Sequence, residues 1–151
     1  MRSYHHGSTE KVAKVLARVL DAQIQTPAQI RPEELQEYTI IGFGSGIYDA
    51  RHHLDLLDLA DRLPPVDNKK AFIFSTSSMV NEDKVAEDHS ALREKLRLKG
   101  YKIVDEFSCR GFNTNSFLRH FGGMNKGRPN AEDLKHAEEF AVNLKQSMGA
   151  T

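Results

Sequence analysis

The sequence predicts an alternating α/β domain built on a parallel sheet. Short runs at Thr39–Gly44, Ala71–Phe74 and Tyr101–Phe107 have the apolar, β-branched and aromatic content of strands buried on both faces. Around them, apolar residues recur at three- and four-residue steps, the period of helices. The two kinds of segment alternate, an order that builds parallel sheets with right-handed crossovers.

Taken in order, Val12, Val15, Leu16, Val19 and Leu20 mark an amphipathic helix from about Thr9 to Leu20, after the turn Gly7-Ser8. Ala22–Thr26 is a short strand candidate stopped by Pro27. Pro32-Glu33-Glu34 opens a short helical turn, with proline at its favoured first position and acids at the positive end of the dipole. After the Thr39–Gly44 strand, Leu54, Leu56, Leu57, Leu59, Ala60 and Leu63 form an apolar stripe ended by Pro64-Pro65. Asn81 caps a helix running to about Lys99, with Gly100 as its stop. The stretch Ser108–Pro129 has no period and reads as a long loop, and Asn130 caps the last helix.

A length of 151 residues gives one domain, residues 1–151. The 21 basic residues balance 21 acidic ones, so no overall field draws the chain to nucleic acid or an anionic membrane. No charged-then-apolar leader or bilayer-length apolar run is present, so neither secretion nor a membrane is expected. Cys109 is the lone cysteine and points to a reducing, cytoplasmic setting.

In such sheets ligands sit beyond the carboxyl ends of the strands, where three polar segments gather. Ser3-Tyr4-His5-His6-Gly7-Ser8-Thr9 precedes a helix, whose backbone N–H groups and dipole suit a phosphate; the alternative is ordinary capping. It is not a Walker loop, since no Gly-Lys-Ser/Thr ends it. Gly44-Ser45-Gly46-Ile47-Tyr48 offers glycines free to take positive φ and an aromatic ring to pack on a flat ligand; the alternative is a tight turn with a surface tyrosine. The third segment is Ser75-Thr76-Ser77-Ser78. His5-His6 and His52-His53 invite a metal, but adjacent histidines rarely share one ion and no carboxylate or cysteine motif completes a set, so none is assigned. Cys109 reads as a buried or loop thiol, and Asn125–Pro129 as solvated loop charge or a cationic rim.

Four segments in order resemble the flavodoxin-like family, particularly its small single-domain FMN proteins. They are His5-His6-Gly7-Ser8-Thr9-Glu10-Lys11, Gly42–Tyr48, Phe74–Ser78 and Gly122–Asn130, and together they span nearly the whole chain. The resemblance implies a three-layer αβα sandwich with a parallel sheet of family order 2-1-3-4-5. It implies FMN with its phosphate on Ser3, Tyr4, His5, His6, Gly7, Ser8 and Thr9. The isoalloxazine would lie against Gly44, Ser45, Gly46, Ile47 and Tyr48 and against Ser75, Thr76, Ser77 and Ser78, with Tyr48 stacked on it. Gly44 and Gly46 match the family's peptide whose carbonyl turns toward flavin N5. No catalytic residue is implied, since the flavin itself carries the electrons.

Two departures stand out. Strict flavodoxins are often strongly acidic, and this chain is neutral. The family's phosphate loop follows its first strand, yet only Met1-Arg2-Ser3 precedes Tyr4, so the expectation is a shortened domain lacking that strand. The gap would be closed by a restored strand, by a strand lent from a partner chain in a homo-oligomer, or by the second strand sliding inward. Three functions follow: an FMN electron carrier serving redox partner proteins, an FMN-dependent NAD(P)H or quinone reductase, and a cofactor-free interaction domain.

Overall fold

The computed structural model describes residues 8–78, 80–111 and 128–149. Helix α1 (Ser8–Leu20) leads through an irregular stretch and a 3₁₀ helix (Pro32–Glu37) into strand β1 (Ile40–Tyr48). A tight hairpin brings back the short β2 (Arg51–His52), followed by α2 (Leu54–Arg62), β3 (Lys69–Ser77), α3 (Glu82–Asp88), α4 (Ser90–Leu98), β4 (Tyr101–Arg110) and α5 (Ala131–Gly149). The sheet order is β2-β1-β3-β4. β1, β3 and β4 are mutually parallel, and β2 alone is antiparallel. This is the parallel α/β arrangement that the alternation predicts, with helices on both faces of the β1-β3-β4 core as the resemblance implies; among the described residues the order is β2-β1-β3-β4 rather than five strands in the order 2-1-3-4-5.

Period-2 alternation divides the strands between two cores. Ile41, Phe43, Ala71 and Ile73 face Leu56, Leu57 and Leu59 of α2 and Leu92 and Leu96 of α4. Phe72, Phe74 and Cys109 face Val12, Ala13 and Leu16 of α1 and Ala137, Ala141 and Leu144 of α5. Each fully buried leucine contributes about 1.5–3 kcal/mol, so these two faces hold the layers together. Burial also pushes the Cys109 thiol up to about 12, as an inert core cysteine.

Four sequence expectations are corrected. Ala22–Thr26 forms no ladder, because no strand lies beside it among the described residues to take its backbone hydrogen bonds. Gly44–Tyr48 is not a turn but the last part of β1, and neither glycine has positive φ. The chain turns immediately after it, at Asp49 and Ala50, whose φ values of 50° and 61° give the hairpin geometry. The long helix from Asn81 is two helices, broken at His89. The loop expected from Ser108 starts later, since β4 runs to Arg110; residues 112–127 lie outside the described residues.

Candidate functional site

The carboxyl ends of β1, β3 and β4 meet the N-terminus of α1 at one edge of the sheet. Thr9, in the first turn of α1, shares a hydrogen bond with Thr76 near the end of β3, the two hydroxyl oxygens 2.8 Å apart and both side chains buried. Gly111 closes the same corner: a Cβ there would lie 3.0 Å from Thr76 Cβ and 3.2 Å from Ser8 Cβ, and its N–H donates to Ser77 O at 2.9 Å. Ser8, Thr9 and Thr76 are thereby gathered at the positive end of the α1 dipole. The acid of that first turn, Glu10, is held by Lys14 at 3.3 Å. The positive end of the α1 dipole at this corner suits a phosphate dianion, while the Thr9 and Thr76 hydroxyls, buried and bonded to each other, hold the corner in shape. Ser3, Tyr4, His5, His6 and Gly7 lie outside the described residues. Replacing Thr9 with valine is expected to cost about 1–2 kcal/mol in urea unfolding, because it leaves the Thr76 hydroxyl buried without its partner.

The other face of the same strand ends is a buried polar network. Ser45, Ser75 and Ser108 stand in one register row across β1, β3 and β4. Ser45 Oγ donates to Gly46 O at 2.7 Å and accepts the His53 backbone N–H at 3.0 Å, so the 2.9 Å bond to His52 uses a proton on His52 Nδ1. His52 Nε2 is then a bare acceptor, buried without a hydrogen-bond partner among the described residues. Burial, together with the His89 ring centred 5.0 Å away, holds the His52 pKa well below its usual value, so this ring stays neutral.

His89 occupies the break between α3 and α4 because its side chain is fixed at both ends. Nε2 meets Ser75 Oγ at 2.7 Å, and Nδ1 donates to Glu106 Oε1 at 2.8 Å. Arg93 grips both oxygens of the same carboxylate, each at 2.7 Å. Burial alone would raise the Glu106 pKa, but the hydrogen bonds from His89 and Arg93 and their charges outweigh it and bring it to about 2. Ser75–His89–Glu106 has the order of a hydrolase triad, yet Ser75 and His89 are both 0% exposed and Ser75 Oγ is hydrogen-bonded to Ser108 at 2.8 Å. Fully buried and committed to these bonds, Ser75 and His89 act as a scaffold that fixes the strand ends.

Sequence reasoning missed His89, Arg93, Glu106 and Ser108, which are spread over the α3–α4 break, α4 and β4 without a motif. The available signal was a serine at the same depth of three strands. Of the expected ring-side residues, Gly44, Ser45, Gly46, Ile47 and Tyr48 end β1, and Ser75, Thr76 and Ser77 end β3, with Ser78 just after it. Ser45 and Ser75 turn into the network, and Thr76 turns toward α1. Tyr48 packs edge-on against His53, ring centres 5.3 Å apart, and His53 in turn caps α2 by accepting the Asp55 N–H. Arg128 is bound to Asp133 through both its Nε and a terminal nitrogen rather than standing as a free cation.

Residues 3–115 match the flavodoxin domain. An uncharacterized protein of Methanocaldococcus jannaschii is 42% identical over 143 residues, covering 95% of this chain and 93% of that one. Among solved structures, oxidised flavodoxin 2 of Bacillus cereus superposes with a TM-score of 0.71 at 18% identity, over 97% of this chain and 99% of that chain. The general stress protein 14 of Treponema denticola, solved in complex with FMN, gives 0.55 at 10% identity, over 96% and 95%. A domain match over most of the chain, joined to the parallel β1-β3-β4 core between paired helix layers, establishes the relationship: this chain belongs to the flavodoxin family.

Proposed function

We propose that this chain binds FMN at the carboxyl end of its sheet and serves as an electron carrier for redox partner proteins. The observation that carries the reading is the corner where the first turn of α1 is tied to the end of β3 by the Thr9–Thr76 bond and closed by Gly111. Residues 3–9 would hold the phosphate, with hydroxyls and backbone N–H groups in place of cationic side chains. The ends of β1 and β3, Gly44–Tyr48 and Ser75–Ser78, would border the isoalloxazine, and Tyr48 would supply the aromatic wall. Bound flavin supplies the electron chemistry. The protein holds the ring, limits its contact with water and sets the polarity around it. Behind these strand ends the Ser45–His52 and Ser75–His89–Glu106 bonds keep the backbone from shifting.

The neutral overall charge supports the alternative of an FMN-dependent NAD(P)H or quinone reductase, since long-range electrostatic docking to a basic partner is weak here. The two separate in one anaerobic experiment on the FMN-reconstituted protein. A carrier keeps its visible flavin band in the presence of NADH or NADPH and loses it on dithionite. Bleaching by NAD(P)H with no added reductase, followed by quinone turnover, would replace the carrier reading with the enzyme. No helix among the described residues is long and apolar enough to cross a membrane.

A further inference from the structure

Few contacts hold the hairpin that ends β1. Its ladder has two pairs, Ile47 with His52 and Tyr48 with Arg51. Its tip, Asp49-Ala50, is exposed and sits at φ 50° and 61°, a left-handed conformation that is unfavourable for residues other than glycine. A two-stranded hairpin is marginal in water at best, so side chains must anchor this one. On β2 the anchor is His52, because Arg51 is exposed and His52 is only 1% exposed.

His52 is seated by one hydrogen bond and one ring contact. Nδ1 donates to Ser45 Oγ at 2.9 Å, and the ring lies against His89, centres 5.0 Å apart. The seat suits only the neutral ring, because Nε2 is buried with no hydrogen-bond partner among the described residues. A proton added there would create an N–H that donates to nothing and a positive charge held out of water. The polar groups packed around it are engaged elsewhere. His89 uses its two ring nitrogens on Ser75 and Glu106, and Glu106 uses its oxygens on His89 and Arg93. On α3 Asp88 is gripped by Lys84, and at the start of α2 Asp55 lies beside His53. Burial is the largest influence against a proton on His52; the His89 and Arg93 charges also oppose it, and Glu106 alone favours it.

We propose that His52 is an acid-operated latch: a proton taken up at Nε2 unseats the ring, and residues 47–53 open while the two cores stay packed. The opening is local because β2 contributes no residue to either core, and β1 stays paired to β3 from Ile40 to Gly46. It also releases the left-handed backbone at Asp49 and Ala50. Opening displaces Tyr48 and His53, whose rings meet edge-on, and so removes the aromatic wall of the candidate site. That consequence rests on the FMN reading, whereas the latch itself does not. In the closed hairpin the proton is excluded, and in the open one His52 titrates as an ordinary histidine near 6.5, so acid favours opening.

The test is amide exchange of the flavin-free chain at pH 7.5 and 5.5, each rate divided by that of an unstructured peptide at the same pH. One-proton linkage predicts that protection of residues 47–53 falls about tenfold between the two. Protection of residues 71–74, in the centre of the sheet, should change by less than about twofold. His52→Asn keeps a donor for Ser45 and His52→Gln keeps a polar side chain, but neither can take the proton, so either variant should show equal hairpin protection at both pH values. Unchanged hairpin protection in the native chain would overturn the proposal. So would an equal loss in residues 71–74, which would mean general acid softening, or a tenfold loss that persists in the variants, which would assign the proton to another group. All of these readings are made without flavin, so a failed latch and a failed FMN site are told apart.

Discussion

Replacing Glu106 with glutamine is expected to lower folding stability at neutral pH by about 1–3 kcal/mol, the cost of leaving the donors of a half-buried, hydrogen-bonded ion pair without their acceptor. The carboxylate takes three hydrogen bonds of 2.7–2.8 Å, two from Arg93 and one from His89, and its loss strands both donors. The pH dependence gives an independent check. The folded-state pKa of Glu106 is lowered from 4.5 to about 2, so its contribution is present above about pH 4.5 and is lost as pH falls toward 2. His52 acts in the same direction at higher pH. Its folded pKa lies well below 6.5, so the unfolded chain binds its proton first and stability declines as pH falls below about 6.5. Urea unfolding from pH 7.5 to 3 should show the native protein weakening in both windows. Glu106→Gln should begin lower and lose the more acidic of the two slopes. A variant that matches the native protein at pH 7 would show that the network is not what holds the strand ends.

The second large effect concerns ligand discrimination. If the α1 corner is a phosphate seat, FMN should bind on the order of a hundredfold tighter than riboflavin, which shares the ring but lacks the dianion. Thr9→Val should narrow that ratio, since it loosens the corner while leaving the ring-side strand ends in place. Titrations of the purified protein with the two flavins, read by quenching of flavin fluorescence, measure it. Equal affinity for both would place recognition on the ring and leave the corner with a purely structural role.

The parts of the fold legible in the sequence were those whose signal is local. The runs at Ile40, Ala71 and Tyr101 are strands because their residues are apolar and β-branched, and the stripes of α1, α2 and α5 are helices because their period is helical. Strand ends were harder to read. Gly44–Tyr48, Ser75–Ser77 and Ser108–Arg110 carry polar or small residues that look like turns, yet they are strand: His52 and His89 bond Ser45 and Ser75, and Ser75 donates to Ser108. The break at His89 has the same origin, since nothing in the helix pattern around it foretells bonds to Ser75 and Glu106. Ala22–Thr26 fails in the opposite sense: its composition permits a strand, but a ladder needs a neighbour. For the candidate site, the motif order names segments that the fold brings to one edge of the sheet, while the buried network behind it is a three-dimensional feature with no linear spacing to find.

The central claim is that this corner of the sheet binds FMN. It is tested most directly by removing any flavin from the purified protein and titrating FMN back while recording the visible spectrum and the amide signals of Ser8, Thr9, Thr76, Ser77 and Gly111. The account predicts one FMN per chain, a shifted and structured flavin band, and perturbation of those five amides before any on the α2 and α4 face. An unchanged flavin spectrum with unmoved amides at saturating FMN would contradict it.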